Sequence, residues 1–157
     1  MTLHLKSDVK LLAQDDGALV EPFGNRVSIK LSGAQTGGAY ALLHVSLRPK
    51  QPLPPLHRHD FDEVLYVLDG ALTVRMADGT ARAEVGTTVF VPRGAAHTIG
   101  TPDDSPARFI AMVAPAGFEH FFTDLAALVA ASDEVDPAAA AALTQRYGVE
   151  ILEAPTH

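Results

Sequence analysis

The sequence predicts an all-β domain, a sandwich or barrel, followed by two helices. Up to about Ala114, short runs of alternating apolar and polar residues are broken by Gly, Pro and Asp-Gly punctuation. A tight hairpin is legible around Asp78-Gly79. After Pro115 the apolar spacing lengthens from two residues to the three and four of a helix. A length of 157 residues suits one domain over 1–157, divided into a barrel at about 9–114 and a helical extension at about 115–152.

Arg26 to Leu31 and Ala39 to Leu47 read as strands. The proline-rich stretch from Pro49 to Pro55 is an extended connector, because proline cannot donate to a central ladder. Glu63 to Leu68 and Ala71 to Ala77 follow as two further strands. Pairing outward from a type I′ turn at Asp78-Gly79 sets Met76 against Ala81, Val74 against Ala83 and Leu72 against Val85 on a dry face. Thr73, Arg75, Arg82 and Glu84 take the wet one. Ala107 to Val113 is a strand with Phe109 and Met112 on opposite faces. Phe118, Phe121, Phe122, Leu125, Leu128 and Val129 predict an amphipathic helix from Gly117 to Ala131, whose phenylalanine stripe reads as core. A second helix starts with Asp136 as N-cap and Pro137 in its first turn, and stops at Gly148.

Composition narrows the function classes. At 47% hydrophobic and 20% charged residues the chain is neither disordered nor fibrous. Twelve basic against 19 acidic residues give a net charge of −7, and no Lys/Arg run occurs, so nucleic acid and anionic membrane surfaces are poor partners. The longest uncharged apolar segment, Phe109 to Phe118, is too short to span a bilayer, and a cytoplasmic location is expected. With no cysteine, any metal must be held by His, Asp, Glu or backbone oxygen.

Strand alternation places His57 and His59 on one face. Glu63, six residues past His57, would lie ~20 Å away in extended chain at about 3.3 Å per residue, so joining them requires a reversal, and Asp60-Phe61-Asp62 offers one. Gly86 to His97 reads as a strand, a Pro-x-Gly turn and a return carrying one histidine. If both hairpins belong to one barrel, His97 faces His57, His59 and Glu63. Three imidazoles and a carboxylate suit one divalent Fe, Ni, Co, Mn or Zn ion and leave a position open for substrate or O2.

The spacing H-x-H-x3-E-x6-G from His57 through Glu63 to Gly70, followed by G-x5-P-x-G-x2-H from Gly86 to His97, resembles the paired motifs of the cupin superfamily. Pro115 to Glu119, with its Phe-rich continuation, and Tyr147 to Leu152 resemble the C-terminal region of small bacterial quercetinase-like monocupins. Two positions depart from the pattern: Gln51 stands where a glycine is expected, and Thr101 where an asparagine is expected.

The resemblance implies a double-stranded β-helix of jelly-roll type, a metal at its centre held by His57, His59, Glu63 and His97, and a small-molecule substrate entering one mouth. It implies a quercetinase-like dioxygenase of an aromatic or enolic compound, with Glu63 as both ligand and catalytic base. A non-catalytic binding or sensor cupin and a metal-dependent isomerase or cyclase remain as alternatives. A homodimer is expected, in which residues before about Leu31 add to the partner's sheet. His44 reads as a satisfied or solvent-facing histidine, His120 as exposed, and His4 and His157 as terminal. Phe61 can line the pocket entrance or be buried at the turn.

Overall fold

Strand β5, Asp62–Met76, runs through the whole molecule and organises the rest. The structure is a computed structural model that describes residues 8–153, so His4 and His157 lie outside the described residues. Before β5 come β1 (Ala18–Val20), β2 (Arg26–Leu31), a four-residue helix α1 (Gly33–Thr36), β3 (Ala41–Leu47) and β4 (His57–His59). After it come β6 (Gly79–Glu84), β7 (Thr88–Val91), β8 (His97–Gly100), β9 (Ala107–Ala114), α2 (Glu119–Ala130), α3 (Pro137–Arg146) and β10 (Val149–Ile151). The strands join in the order β1-β2-β3-β9-β5-β8-β4-β10, with β6 and β7 also on β5. This is the double-stranded β-helix with two C-terminal helices that the sequence predicts.

The predicted strands Glu63 to Leu68 and Ala71 to Ala77 are one continuous strand. It is bent by a register shift between Val67 and Asp69 and by Gly70, whose φ is +68°. A Cβ at Gly70 would stand 1.9 Å from the Pro106 carbonyl oxygen, so this position admits only glycine. Before the bend β5 pairs with β7 and β9, and after it with β6 and β8, which lets one strand serve both halves of the barrel.

The hairpin register also differs from the sequence expectation. Met76 pairs with Gly79 and Val74 with Ala81, so the two-residue loop is Ala77-Asp78, one residue earlier than predicted, and the partners shift by two. A shift of two preserves the faces. Leu72, Val74 and Ala83 are accordingly buried, while Met76 and Val85 project beyond the barrel and are exposed. The core holds the inward residues Val27, Leu43, Val45, Leu65, Val67, Phe109 and Ala111.

Both helices form within two residues of their expected limits. Asp136 caps α3 by accepting from the Ala138 amide at 3.0 Å, and Pro137 occupies its first turn. Among the described residues no helix is long and apolar enough to cross a membrane.

Candidate metal centre

Two local devices bring the predicted donors together. The chain bends at Asp60-Phe61, so Glu63 enters β5 beside the histidines of β4. Across the barrel, His57 of β4 pairs with His97 of β8, and the Gly94 amide of the intervening turn donates to the His59 carbonyl at 2.7 Å. Asp62 steadies that turn, accepting from the Arg93 amide at 2.9 Å and from its guanidinium at 3.3 Å.

All three imidazoles are held by the same contact. The Nδ1 atoms of His57, His59 and His97 lie 2.9, 2.8 and 2.9 Å from the carbonyl oxygens of Pro55, Phe61 and Ala95. Each Nδ1 must carry the proton to make that bond, which leaves a lone pair on each Nε2. Glu63 Oε2 lies 3.0 Å from His59 Nε2 and 3.8 Å from His97 Nε2. Donors at about 2.1 Å from one ion and at right angles are about 3.0 Å apart, so the set fits a transition metal. His59, Glu63 and His97 offer donor atoms within 4.8 Å of one another. His57 stands beside this trio, its ring centre 4.6 Å from that of His97 and 6.3 Å from that of His59. Phe61 is buried at the turn, with its ring stacked on His59 at 3.9 Å and 3°.

The donors lie in the wall of a cavity of about 360 Å³. Of its twenty lining residues, only His57, His59, Glu63, His97 and Thr144 carry polar side chains. The Thr144 hydroxyl already donates to the Ala140 carbonyl at 2.8 Å. Phe109 faces this cavity. Met112, on the other face of β9, is partly exposed. The phenylalanine stripe of α2 is a correction to the sequence reading, because Phe118, Phe121 and Phe122 form the cavity roof and do not simply fill a core. Val149 and Ile151 of β10 also line it, and were not foreseen as pocket residues. The alternation Val149-Glu150-Ile151 after Gly148 is a short strand signal that could have revealed them.

β10 reaches this position by pairing with β4, setting Val149 against His59 and Ile151 against His57. Glu153 then accepts from the Leu56 amide at 2.8 Å and pairs with Arg75. The two positions that depart from the family pattern meet each other, since the Gln51 amide donates to the Thr101 carbonyl at 2.8 Å. The buried Thr101 hydroxyl donates to the Arg48 carbonyl at 2.6 Å. His44 is half-buried on the outer face of β3, between the inward-facing Leu43 and Val45. Its Nε2 is buried with no partner among the described residues, and burial, followed by the charges of Arg108 and Lys30, holds its pKa below the ordinary value. His120 is exposed, as expected.

Burial is also the leading cause that holds His57 and His97 below the ordinary histidine pKa, against the opposing pull of the carbonyls of Pro55 and Ala95. A folded-state value below the unfolded one means that the metal-free protein has this stability contribution in full above about pH 6.5, and loses it as pH falls. Neutral imidazole is the ligating form. Bound metal is therefore expected to persist below pH 6.5 and to leave only in more acidic buffer. Equilibrium dialysis with metal analysis from pH 8 to 4 checks this, and a release midpoint at or above 6.5 would contradict it.

The profile of the cupin domain family matches residues 43–113, the segment that contains every candidate donor. Tetracenomycin polyketide synthase protein TcmJ of Streptomyces glaucescens is 31% identical over 94 residues, 59% of this chain and 62% of TcmJ, so the chain spans about three fifths of that relative. Among solved structures, the polyketide cyclase RemF from Streptomyces resistomycificus superposes with a TM-score of 0.58 at 19% identity, covering 68% of this chain and 79% of RemF. A putative ethanolamine utilization protein q from Salmonella typhimurium LT2 gives 0.57 at 25% identity, covering 74% and 94%. These likenesses agree with the observed barrel.

Proposed function

Residues 43–113 match the cupin domain family, and from that likeness we propose that the protein is a metal-dependent enzyme acting on an apolar, phenolic or enolic small molecule of polyketide type. The observation that carries the reading is the donor trio His59, Glu63 and His97, with His57 beside it, in the wall of a cavity otherwise almost wholly apolar. No Lys or Arg lines that cavity, so phosphorylated or carboxylate-rich substrates would enter without a counter-charge. Sugars would bring hydroxyls that find no partners there. A flat aromatic body fits the walls, and its one acidic hydroxyl fits the donor end. The similarity to TcmJ supports a polyketide-type substrate.

Bound at His57, His59, Glu63 and His97, a divalent transition metal would supply Lewis acidity at an open coordination position. The remaining chemistry belongs to the chain. Glu63 takes the proton from the substrate hydroxyl, and the electron pair stays on the substrate as a phenolate or enolate. The same carboxylic acid can return the proton to carbon, which completes an isomerisation or prepares a ring closure without any oxidant. The three Nδ1–carbonyl contacts keep the imidazoles in one tautomer and orientation. Phe118, Phe121 and Phe122 exclude water from the anion as it forms.

A second reading, a quercetinase-like dioxygenase, is favoured by the same apolar walls, which would admit O2 as readily as an aromatic ring. Incubating metal-loaded protein with a panel of flavonols and enolic polyketide-like phenols, in air and under nitrogen, separates the readings. The proposed reading expects a product of unchanged mass, or one lacking water, formed equally well under nitrogen. Stoichiometric oxygen uptake would establish the dioxygenase instead, and tight binding without turnover across the panel would leave a binding cupin.

A further inference from the structure

The stack of Phe61 on His59 differs from every other ring contact that the candidate donors make. The ring centres are 3.9 Å apart and the planes 3° from parallel. Neutral aromatic rings usually stand about 4.5–7 Å apart, offset or edge to face, because their negative faces repel. Among the described residues, His57 and His97 meet other rings only in tilted or edge-on geometry, with centres 4.6 to 6.3 Å apart.

The phenyl ring has little freedom to leave. Phe61 is 5% exposed at the bend between β4 and β5, in a buried cluster with Ala41 and Val113. Phe118 packs on it with ring centres 4.9 Å apart. The backbone carbonyl of Phe61 accepts from His59 Nδ1 at 2.8 Å, so one residue grips the imidazole by its edge and by its face. That bond leaves Nε2 as the donor atom, 3.0 Å from Glu63 Oε2. A side-chain substitution at 61 removes the ring and keeps the carbonyl.

Nearly parallel rings at this distance put the negative face of the phenyl over the imidazole. The arrangement brings little to a neutral imidazole. An imidazole that has given its Nε2 lone pair to a divalent cation is electron-poor, and the same face attracts it as it attracts any cation within about 6 Å. Burial strengthens the attraction, since little water competes.

We propose that Phe61 is a positioning residue for the metal: the negative face of its ring stabilises the His59 imidazole in its metal-bound form, and metal affinity follows the electron richness of that ring. Such a role rests on the metal reading of the His59, Glu63 and His97 trio, and adds a determinant from outside the donor set.

Fluorination separates an electronic role from a packing one. Each fluorine drains charge from the face of a phenyl ring while nearly keeping its shape and raising its apolar character. The test uses the full chain with mono-, di- and trifluorophenylalanine in place of Phe61. The Co(II) dissociation constant is read by competition with a chromogenic chelator at about pH 8, where the free imidazoles are neutral. Kd is expected to rise with every fluorine, by about tenfold in all at three, within the roughly three- to thirtyfold that a cation–π contact spans. Phe61→Leu should weaken binding at least as much. Trifluorophenylalanine in place of the exposed Phe23 should leave Kd unchanged. The visible Co(II) bands should keep their positions throughout, because the donors stay the same.

If Phe61→Leu fails to fold, the fluorinated series still decides. A single Kd for all the fluorinated proteins overturns the proposal. So does a Kd that falls with fluorination, an equal loss from position 23, or bands that move at the first fluorine. A native chain that takes up no Co(II) would overturn the metal reading as well, whereas tight uptake with a flat series removes the role of Phe61 alone.

Discussion

Glu63→Gln is expected to lower turnover by ~10²- to 10⁴-fold, the usual cost of losing a general base, while the barrel stays folded. Glutamine keeps the shape and one carbonyl oxygen but loses the charge and the basicity. Glu63 is largely buried, with Oε2 3.0 Å from His59 Nε2, so the amide can occupy the same place and still face the imidazoles. Metal content must be measured on the same samples, because losing an anionic donor also weakens the site. Loss of rate at equal metal occupancy assigns the proton to Glu63. Undiminished turnover at full occupancy would leave Glu63 as a ligand alone and refute the base role.

The largest effect on stability is expected at Glu119, the first residue of α2. Its carboxylate is 1% exposed and accepts from the Gly33 amide at 2.8 Å and from the Gly117 amide at 2.6 Å. It therefore ties the turn around α1 to the start of the helix that roofs the cavity. Hydrogen bonds to a charged group contribute about 1.5–3 kcal/mol each, and Glu119→Ala also strands two buried donors. A loss of about 3–5 kcal/mol is expected, which in a domain of this size lowers Tm by roughly 10 °C. Glu119→Gln, which retains one acceptor, should fall between. Thermal melts of the three proteins in parallel check the order, and an alanine variant within about 1 °C of the native Tm would show that the bonds carry no weight.

The approach of Glu63 and His97 to His59 was legible because its sequence signals are local. His57, His59 and Glu63 lie within seven residues, and His97 follows a Pro-x-Gly turn that announces itself. The strand β2 was readable to the residue for a similar reason, a clean alternation bounded by polar ends. What escaped was long-range. Gly70 read as a break between two strands, but the structure uses its positive φ and missing Cβ to let one strand pass the Pro106 carbonyl and change sheets. Nothing near Gly70 in sequence predicts that approach. The roof was misjudged likewise: the helical period of Phe118, Phe121 and Phe122 specifies an apolar stripe but not whether packed side chains or an open cavity lies beneath it. The hairpin turns at Ala77-Asp78 and not at Asp78-Gly79, because parity fixes the faces and leaves the position of the turn free by one residue.

The short strand β4 shares a single pair with β8 but three with β10, so its two histidines are aligned chiefly by chain about ninety residues downstream, as in the Arg58–Glu150 contact at 2.8 Å. Closing so long a loop costs entropy that no local turn can recover. A site of this kind does not pre-exist in a fragment or in the unfolded ensemble, unlike a pair of ligands on one helix. Occupancy of the ion and stability of the entire barrel are consequently linked. An ion that binds only the closed state, present at a hundred times its Kd, adds about 2.7 kcal/mol to global unfolding, spread over every element at once.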